Sequence, residues 1–207
     1  MIEKADVVVV GGGCMGASIA YHLCKLGFKD VCLLERNFLT SGATGRSTAV
    51  IRMNYGNELG AKLALESFRV FNDFEHAVGG TADFRQVGYI GCVDESNVDA
   101  MLESTEMQRR LGVNNKVIQS AEIKDHFSKF DADGIALATY EPDSGYADAF
   151  ATTFSYSVQA KEMGGQHRRR SLRAARDSGR WFGKGSGHRQ RKDRLPRGRR
   201  RDRGVDQ

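Results

Sequence analysis

The sequence predicts an α/β fold: a Rossmann-like βαβ unit at the N-terminus, then part of a mixed α+β domain, then a strongly basic tail. Three observations carry this. An apolar run at Val7–Val10 meets Gly11-x-Gly13-x-x-Gly16; an amphipathic stretch follows through Ala17, Ile19, Ala20, Leu23 and Leu26; and a second apolar run, Val31–Leu34, ends in Glu35. Strand, glycine turn, helix, strand and acid in one register is the pattern of a dinucleotide-binding unit.

Each part has a physical reason. Gly11 permits the tight turn, Gly13 removes a Cβ where a pyrophosphate would approach, and Gly16 lets helix and strand pack closely. The helix start, including Cys14 and Met15, offers unpaired N–H groups to phosphate. Glu35 falls 19 residues after Gly16, where a carboxylate accepts both hydroxyls of an adenosine ribose. The loop that follows, Thr40–Thr48, is rich in small residues. It reads either as a plain flexible loop or as a source of N–H and hydroxyl groups for phosphate.

Residues 57–77 show helical periodicity through Leu59, Leu63, Leu65, Phe68, Val70, Phe71 and Phe74, stopped by Gly79-Gly80; its aromatics read as core. Phe84–Val93 is rich in β-formers and reads as one strand. Ser96–Leu111 reads as a polar helix with a thin apolar stripe at Val98, Met101, Leu102 and Leu111, closed by Gly112. Ser120 starts a short helix, Ile135–Tyr140 is a strand, and Glu141–Gly145 reads as a turn. Asp148 caps a helix running to about Met163. After the first βα unit the elements do not alternate, so the chain leaves the dinucleotide unit to build part of another layer.

Charge is divided unevenly along the 207 residues. Residues 166–207 hold fourteen Arg, two Lys and four Asp, a net +12, whereas residues 1–165 carry −7. The first part is an ordinary, mildly acidic globular composition. Cys14, Cys24, Cys32 and Cys92 show no metal-ligand spacing, and no metal site is expected. They read as buried, reduced thiols in a reducing compartment. No run approaches the ~18–20 apolar residues of a membrane span, and a cytoplasmic location is expected.

The residues also resemble a known family. ValValValGlyGlyGlyCysMetGlyAlaSer, TyrHisLeuCysLysLeuGly and LeuLeuGluArg look like the start of the FAD-dependent amine and amino-acid oxidoreductases that include D-amino-acid oxidase, glycine oxidase and sarcosine oxidase. SerGlyAlaThrGlyArgSer, the following IleArg, LeuAlaLeuGluSer, PheArgGlnValGlyTyrIle, GlnArgArgLeuGlyVal and AspSerGlyTyrAlaAsp narrow this to sarcosine oxidase β-subunits and dimethylglycine-dehydrogenase-like proteins. The resemblance covers about residues 5–165. It implies that Gly11, Gly13, Cys14, Met15, Gly16, Glu35 and Arg36 hold the ADP half of FAD. It also implies that Ser41, Gly42, Ala43, Thr44, Gly45, Arg46 and Ser47 run past the pyrophosphate toward the isoalloxazine. Arg52 is implied as the contact to a substrate carboxylate, with a surface or structural ion-pair role the alternative. The implied reaction oxidises the C–N bond of a small amine or amino acid, with oxygen, an electron-transfer protein or a partner subunit taking the electrons. The family would assign residues 1–56 to the dinucleotide segment and 57–165 to part of the substrate domain.

From Gln166 the pattern changes. Seven apolar residues in 42 are too few for a core strand, so the helix ending near Met163 is expected to lose the strand it should feed, and the tail to stay disordered. A reading-frame shift that replaced the family's continuation is the preferred explanation, which would make the chain a truncated, inactive form. A basic arm for nucleic acid is the alternative; arginines bind phosphate without sequence preference, and no specific nucleic acid is expected. Within enzymes, the competing expectation is a nicotinamide-dependent dehydrogenase using the same βαβ unit.

Overall fold

Val7–Val10 form β1, and Val31–Glu35 form β2, paired in parallel from Val7 with Val31 to Val10 with Leu34. The crossover between them is α1, Cys14–Lys25. The computed structural model describes residues 5–169, all within one compact unit. The basic segment from residue 170 on, with the expectations of disorder and nucleic-acid binding attached to it, lies outside the described residues.

After a 3-10 turn at Thr44–Arg46 the chain forms β3 (Val50–Ile51), α2 (Glu58–Asn72) and α3 (Phe74–Ala77). It continues through β4 (Arg85–Gln86), β5 (Tyr89–Val93), α4 (Val98–Arg110) and β6 (Lys116–Gln119). Last come α5 (Ile123–His126), β7 (Leu137–Glu141), β8 (Gly145–Tyr146), α6 (Ala149–Glu162) and β9 (Gln166–Arg169). Among the described residues, three three-stranded sheets result. The first is wholly parallel in the order β1-β2-β9, and the other two, β3-β8-β4 and β5-β7-β6, are antiparallel.

The strand β9 corrects one expectation. Polar though its residues are, Gln166–Arg169 pair with Cys32–Glu35, so α6 does hand over to a sheet strand. Its place is set by main-chain pairing with β2. Other differences are local. Gly88 at φ +80 splits the expected strand 84–93 into β4 and β5, and Asp73 breaks the expected helix 57–77 into two. The turn at 141–145 is bracketed by β7 and β8.

The main core lies where α1 meets α6. Ala17, Ala20 and Ala160 are fully or almost fully buried there, and such small residues let two helices approach closely. The rings of Tyr21, Tyr156 and Phe74 close it edge to face, Tyr156 lying 5.3 Å from each of the others. Burial pushes the Tyr156 hydroxyl up to about 12. Of the α2 aromatics, Phe71 joins this core beside Phe84, while Phe68 packs on a second cluster of Met53, Leu65 and Val113 and meets the Phe84 ring edge to face; both read as core, as expected, although Leu59 and Leu63 on the same helix face solvent. Helix α4 turns the side of its apolar stripe inward, with Val98, Met101 and Leu111 half-buried, but the fully buried residues on that side are the polar Thr105 and Gln108, while Leu102 is exposed. Gln108 is held by both ends of its amide, donating to the Tyr55 carbonyl at 3.0 Å and accepting from Asn115 Nδ2 at 2.8 Å. Asp148 caps α6 as predicted, accepting from the Phe150 and Ala151 amides at 2.8 Å each.

Candidate functional site

The glycine turn is packed so tightly that side chains are excluded from it. Gly11 sits at φ +109 and donates its N–H to the Leu34 carbonyl at 2.8 Å, stitching the end of β1 to β2. A Cβ on Gly16 would lie 1.8 Å from the Gly11 carbonyl oxygen, so the helix can start here only without one. At Gly13 the added atom would meet the Thr44 hydroxyl at 2.8 Å. That position therefore admits the second loop in this structure. Gly12, an unassigned position of the motif, is equally constrained: its Cβ would approach Glu35 Cβ and Leu39 Cδ2 at 2.9 Å.

Glu35 ends β2 half-buried beside this turn. Its Oε2 accepts from the Gly12 N–H at 2.8 Å, and its Oε1 accepts from the Asn37 N–H at 2.8 Å. Burial pushes its carboxyl up, but the amides of Asn37, Gly12 and Arg36 and the Ser41 hydroxyl together hold it below the ordinary value. The result is an ionised acceptor at the strand end, next to the helix start.

The loop after β2 is built against the turn. Thr40 donates its N–H to the Gly12 carbonyl at 2.9 Å, and its own carbonyl accepts from the Gly45 N–H at 3.0 Å. It is buried and left-handed, with φ 69, a conformation that a β-branched residue adopts only at a cost of order 1–3 kcal/mol and that clusters at functional sites. Thr44 Oγ1 accepts the Cys14 N–H at 3.0 Å, at the first turn of α1. Gly11, Gly13, Cys14, Gly16, Glu35, Ser41, Thr44 and Gly45 thus come together around one helix start, whereas Met15, Arg36, Gly42, Ala43, Arg46 and Ser47 lie exposed. Helix-start amides, an absence of Cβ atoms and an ionised acid fit the ADP half of a dinucleotide.

Arg52 stands apart from that constellation. It lines an open cavity of about 670 Å³ between β5 and α4, with Tyr55, Tyr89, Ser104 and Gln108. Its guanidinium donates to the Asn54 carbonyl and lies 4.9 Å from the Tyr55 ring centroid and 5.4 Å from that of Tyr89. Arg52 is the cavity's sole charged lining residue among the described residues, so the cavity favours an anionic group. Behind it, Glu141 is wholly buried. Burial pushes that carboxyl above its ordinary value, against the pull of the Ser144 hydroxyl, the Met53 N–H, the Arg52 charge and the Asn54 N–H. Tyr55, Tyr89 and Glu141 are not singled out by the sequence, because residues so far apart in the chain carry no local motif.

None of the four cysteines is in a disulfide; Cys24 and Cys32 are buried, Cys14 is half-buried and Cys92 is exposed, so the expectation of buried thiols holds for two of them. Among the described residues no group of three or more His, Cys, Asp or Glu is placed to hold a metal, and no helix is long and apolar enough to cross a membrane.

Comparison with known proteins agrees with this geometry. The profile of the FAD dependent oxidoreductase family matches residues 6–195. Mitochondrial dimethylglycine dehydrogenase of Rattus norvegicus is 28% identical over 163 residues, 78% of this chain and 19% of that protein. The formaldehyde-forming 4-methylaminobutanoate oxidase of Paenarthrobacter nicotinovorans is 30% identical over 162 residues, 78% of this chain and 20% of that protein. Among solved structures, L-proline dehydrogenase from P. horikoshii superposes with a TM-score of 0.73 at 31% identity, over 81% of this chain and 44% of that one. Glycine oxidase from Bacillus cereus, at 23% identity and a TM-score of 0.64, shares the fold over 79% of this chain and 46% of that one. The chain spans about a fifth of the length of the two sequence relatives.

Proposed function

The chain belongs to the FAD dependent oxidoreductase family, and from that premise we propose that it binds the ADP half of FAD at the glycine turn, within a protein that oxidises the C–N bond of an amino acid or N-methylated amino acid. One observation carries the cofactor assignment: Glu35 is locked to the Gly12 amide at 2.8 Å, beside a helix start that Gly16 keeps free of side chains. Glu35 accepts from the ribose hydroxyls. The amides of the α1 start and the hydroxyls of Ser41 and Thr44 serve the diphosphate, with Arg36, Arg46 and the exposed residues of the loop at its rim. The flavin, when bound, supplies hydride acceptance from the carbon next to nitrogen.

Arg52 takes the substrate carboxylate. Its cation faces a cavity without acidic lining residues, and the tyrosine rings at 4.9 and 5.4 Å fix its plane. Oxygen, an electron-transfer protein or a partner subunit takes the electrons afterwards. A reducing location, the cytoplasm, suits four cysteines that form no disulfide.

Titrating the 207-residue chain with FAD, ADP, riboflavin and NADPH tests the cofactor reading. FAD should bind and be displaced by ADP, and riboflavin should bind far more weakly. Tighter binding of NADPH than of FAD would instead favour a nicotinamide dehydrogenase.

The composition of residues 166–207 supports a further part of the proposal, that this stretch is read out of the family's frame and that the chain as written does not turn over an amine. The family match continues to residue 195 and β9 extends past the first change in composition, so the coding DNA is the test. An alternative frame that restores apolar strand periodicity would support the shift. Confirmation of the present frame, with amine turnover by the purified chain, would overturn it.

A further inference from the structure

The assignment of Arg52 to a carboxylate raises the matter of what holds its guanidinium at the cavity wall. Thr139 and Glu141 lie two residues apart on β7 and are both wholly buried, on one face of the strand as its period-two alternation requires. Thr139 Oγ1 accepts from Asn54 Nδ2 at 3.0 Å, and Glu141 Oε2 accepts from the Met53 N–H at 3.0 Å and the Ser144 hydroxyl at 2.7 Å. Strand β7 therefore grips the two residues that follow Arg52. Asn54 in turn offers its carbonyl to the Arg52 guanidinium.

Glu141 is an expensive way to make that contact. Its Oε1 is buried without a hydrogen-bond partner of good geometry, and buried acceptors left unpaired destabilise a fold. A residue kept for stability alone would not carry a half-satisfied carboxyl at zero exposure. The charge that acts on it is the Arg52 guanidinium.

We propose that Glu141 is the positioning residue for Arg52: anchored on β7, it holds the Arg52–Asn54 segment so that the guanidinium faces the cavity between Tyr55 and Tyr89. It touches no ligand itself. The inference rests on the reading of Arg52 given above, and the experiment separates the two.

In the full chain labelled with ¹⁵N at arginine, the Nε–H resonance of Arg52, assigned by its loss in Arg52→Lys, reports the placement of the guanidinium. Titration with N,N-dimethylglycine and with its neutral amide reports the preference for a carboxylate. Glu141→Gln retains an acceptor for the Met53 N–H, and should keep both the resonance and the preference within about twofold. Glu141→Ala, and Glu141→Asp, which is one methylene too short, should average the Arg52 resonance and lower the preference about tenfold, the size of one lost charge-assisted hydrogen bond. Backbone signals of β1, α1 and β2 should stay in place in every variant, which a general loss of structure would not allow. If the alanine variant fails to fold, the aspartate variant carries the test. An unchanged Arg52 resonance in a folded alanine or aspartate variant would overturn the proposal. A lost resonance with an unchanged carboxylate preference would uphold the positioning and overturn the carboxylate role of Arg52.

Discussion

At the glycine turn, the polar side chains of Glu35 and Thr44 are held by main-chain amides, and the positions around them are defined by what cannot be there: a Cβ on Gly16 would lie 1.8 Å from a carbonyl oxygen. Around Arg52 the groups are side chains drawn from segments distant in the chain, Tyr55, Tyr89 and Gln108 among them. They hold their places through hydrogen bonds such as Gln108 to the Tyr55 carbonyl. The first kind of site is dictated by backbone sterics over a few residues. The second exists only when long-range packing is complete. Losing a glycine should therefore damage the first site through the fold itself, while losing a side chain should alter the second more locally.

The strongest way to break this contrast is Gly16→Ala. The added carbon meets backbone, which cannot swing aside, and the expected cost is about 3 kcal/mol or more, at or above the upper end for overpacking. Urea denaturation measures it, and a variant as stable as the parent would show that the turn is looser than its geometry. Next is Glu35→Ala, which removes a charged acceptor and should weaken FAD binding by ~1.5–3 kcal/mol. Calorimetric titration tests it, and unchanged affinity would remove Glu35 from the nucleotide site.

Gln108→Leu sharpens the other side of the comparison. It strands the Tyr55 carbonyl and Asn115 Nδ2, so stability should fall by about 1–2 kcal/mol while FAD affinity stays unchanged. A parallel loss of FAD binding would mean that the two regions are coupled.

The smallest expected effect is a pair of opposite pH slopes. Glu35 is depressed below its ordinary 4.5, so its stabilisation is fully present above that value and is lost as the pH falls through its lowered folded value. Glu141 is raised above 4.5, so the folded state binds the proton more tightly, and stability is lost as the pH rises from 4.5 through the folded value. Relative to the parent, Glu35→Gln should flatten the acid limb, and Glu141→Gln should flatten the slope above 4.5. Thermal denaturation across the acidic range measures both, and slopes of the same sign would contradict the two environments.

How much of this is visible in the sequence follows the same division. Gly11, Gly16 and Glu35 are legible because their spacing is set by one turn of chain and one crossover helix. Gly12 is not, since its constraint comes from Leu39 and Glu35 rather than from the motif. Arg52 enters through the family resemblance alone. Glu141 reads as a turn residue because Pro142-Asp143-Ser144-Gly145 follow it directly, whereas it is the last residue of β7. Helix α4 misleads for a further reason: a buried glutamine satisfied on both sides leaves no apolar signature. Strand β9 is hidden because its pairing rests on main-chain groups while its sequence is polar.

The register of β9 has a consequence for how the molecule is made. Leu33 finds its neighbour at His167, more than 130 residues later, while its pairing with Val9 is nearly local. At ~5–20 residues per second of synthesis, the first strand pair and its helix leave the ribosome roughly ten seconds before the third strand exists. Throughout that interval one side of β2 presents open hydrogen-bonding groups to whatever chain is nearest. Contacts of such long sequence separation also form late in refolding. Newly made chains should therefore need shielding of β2, and the yield of folded protein should fall with rising expression rate before any loss of native stability is measurable.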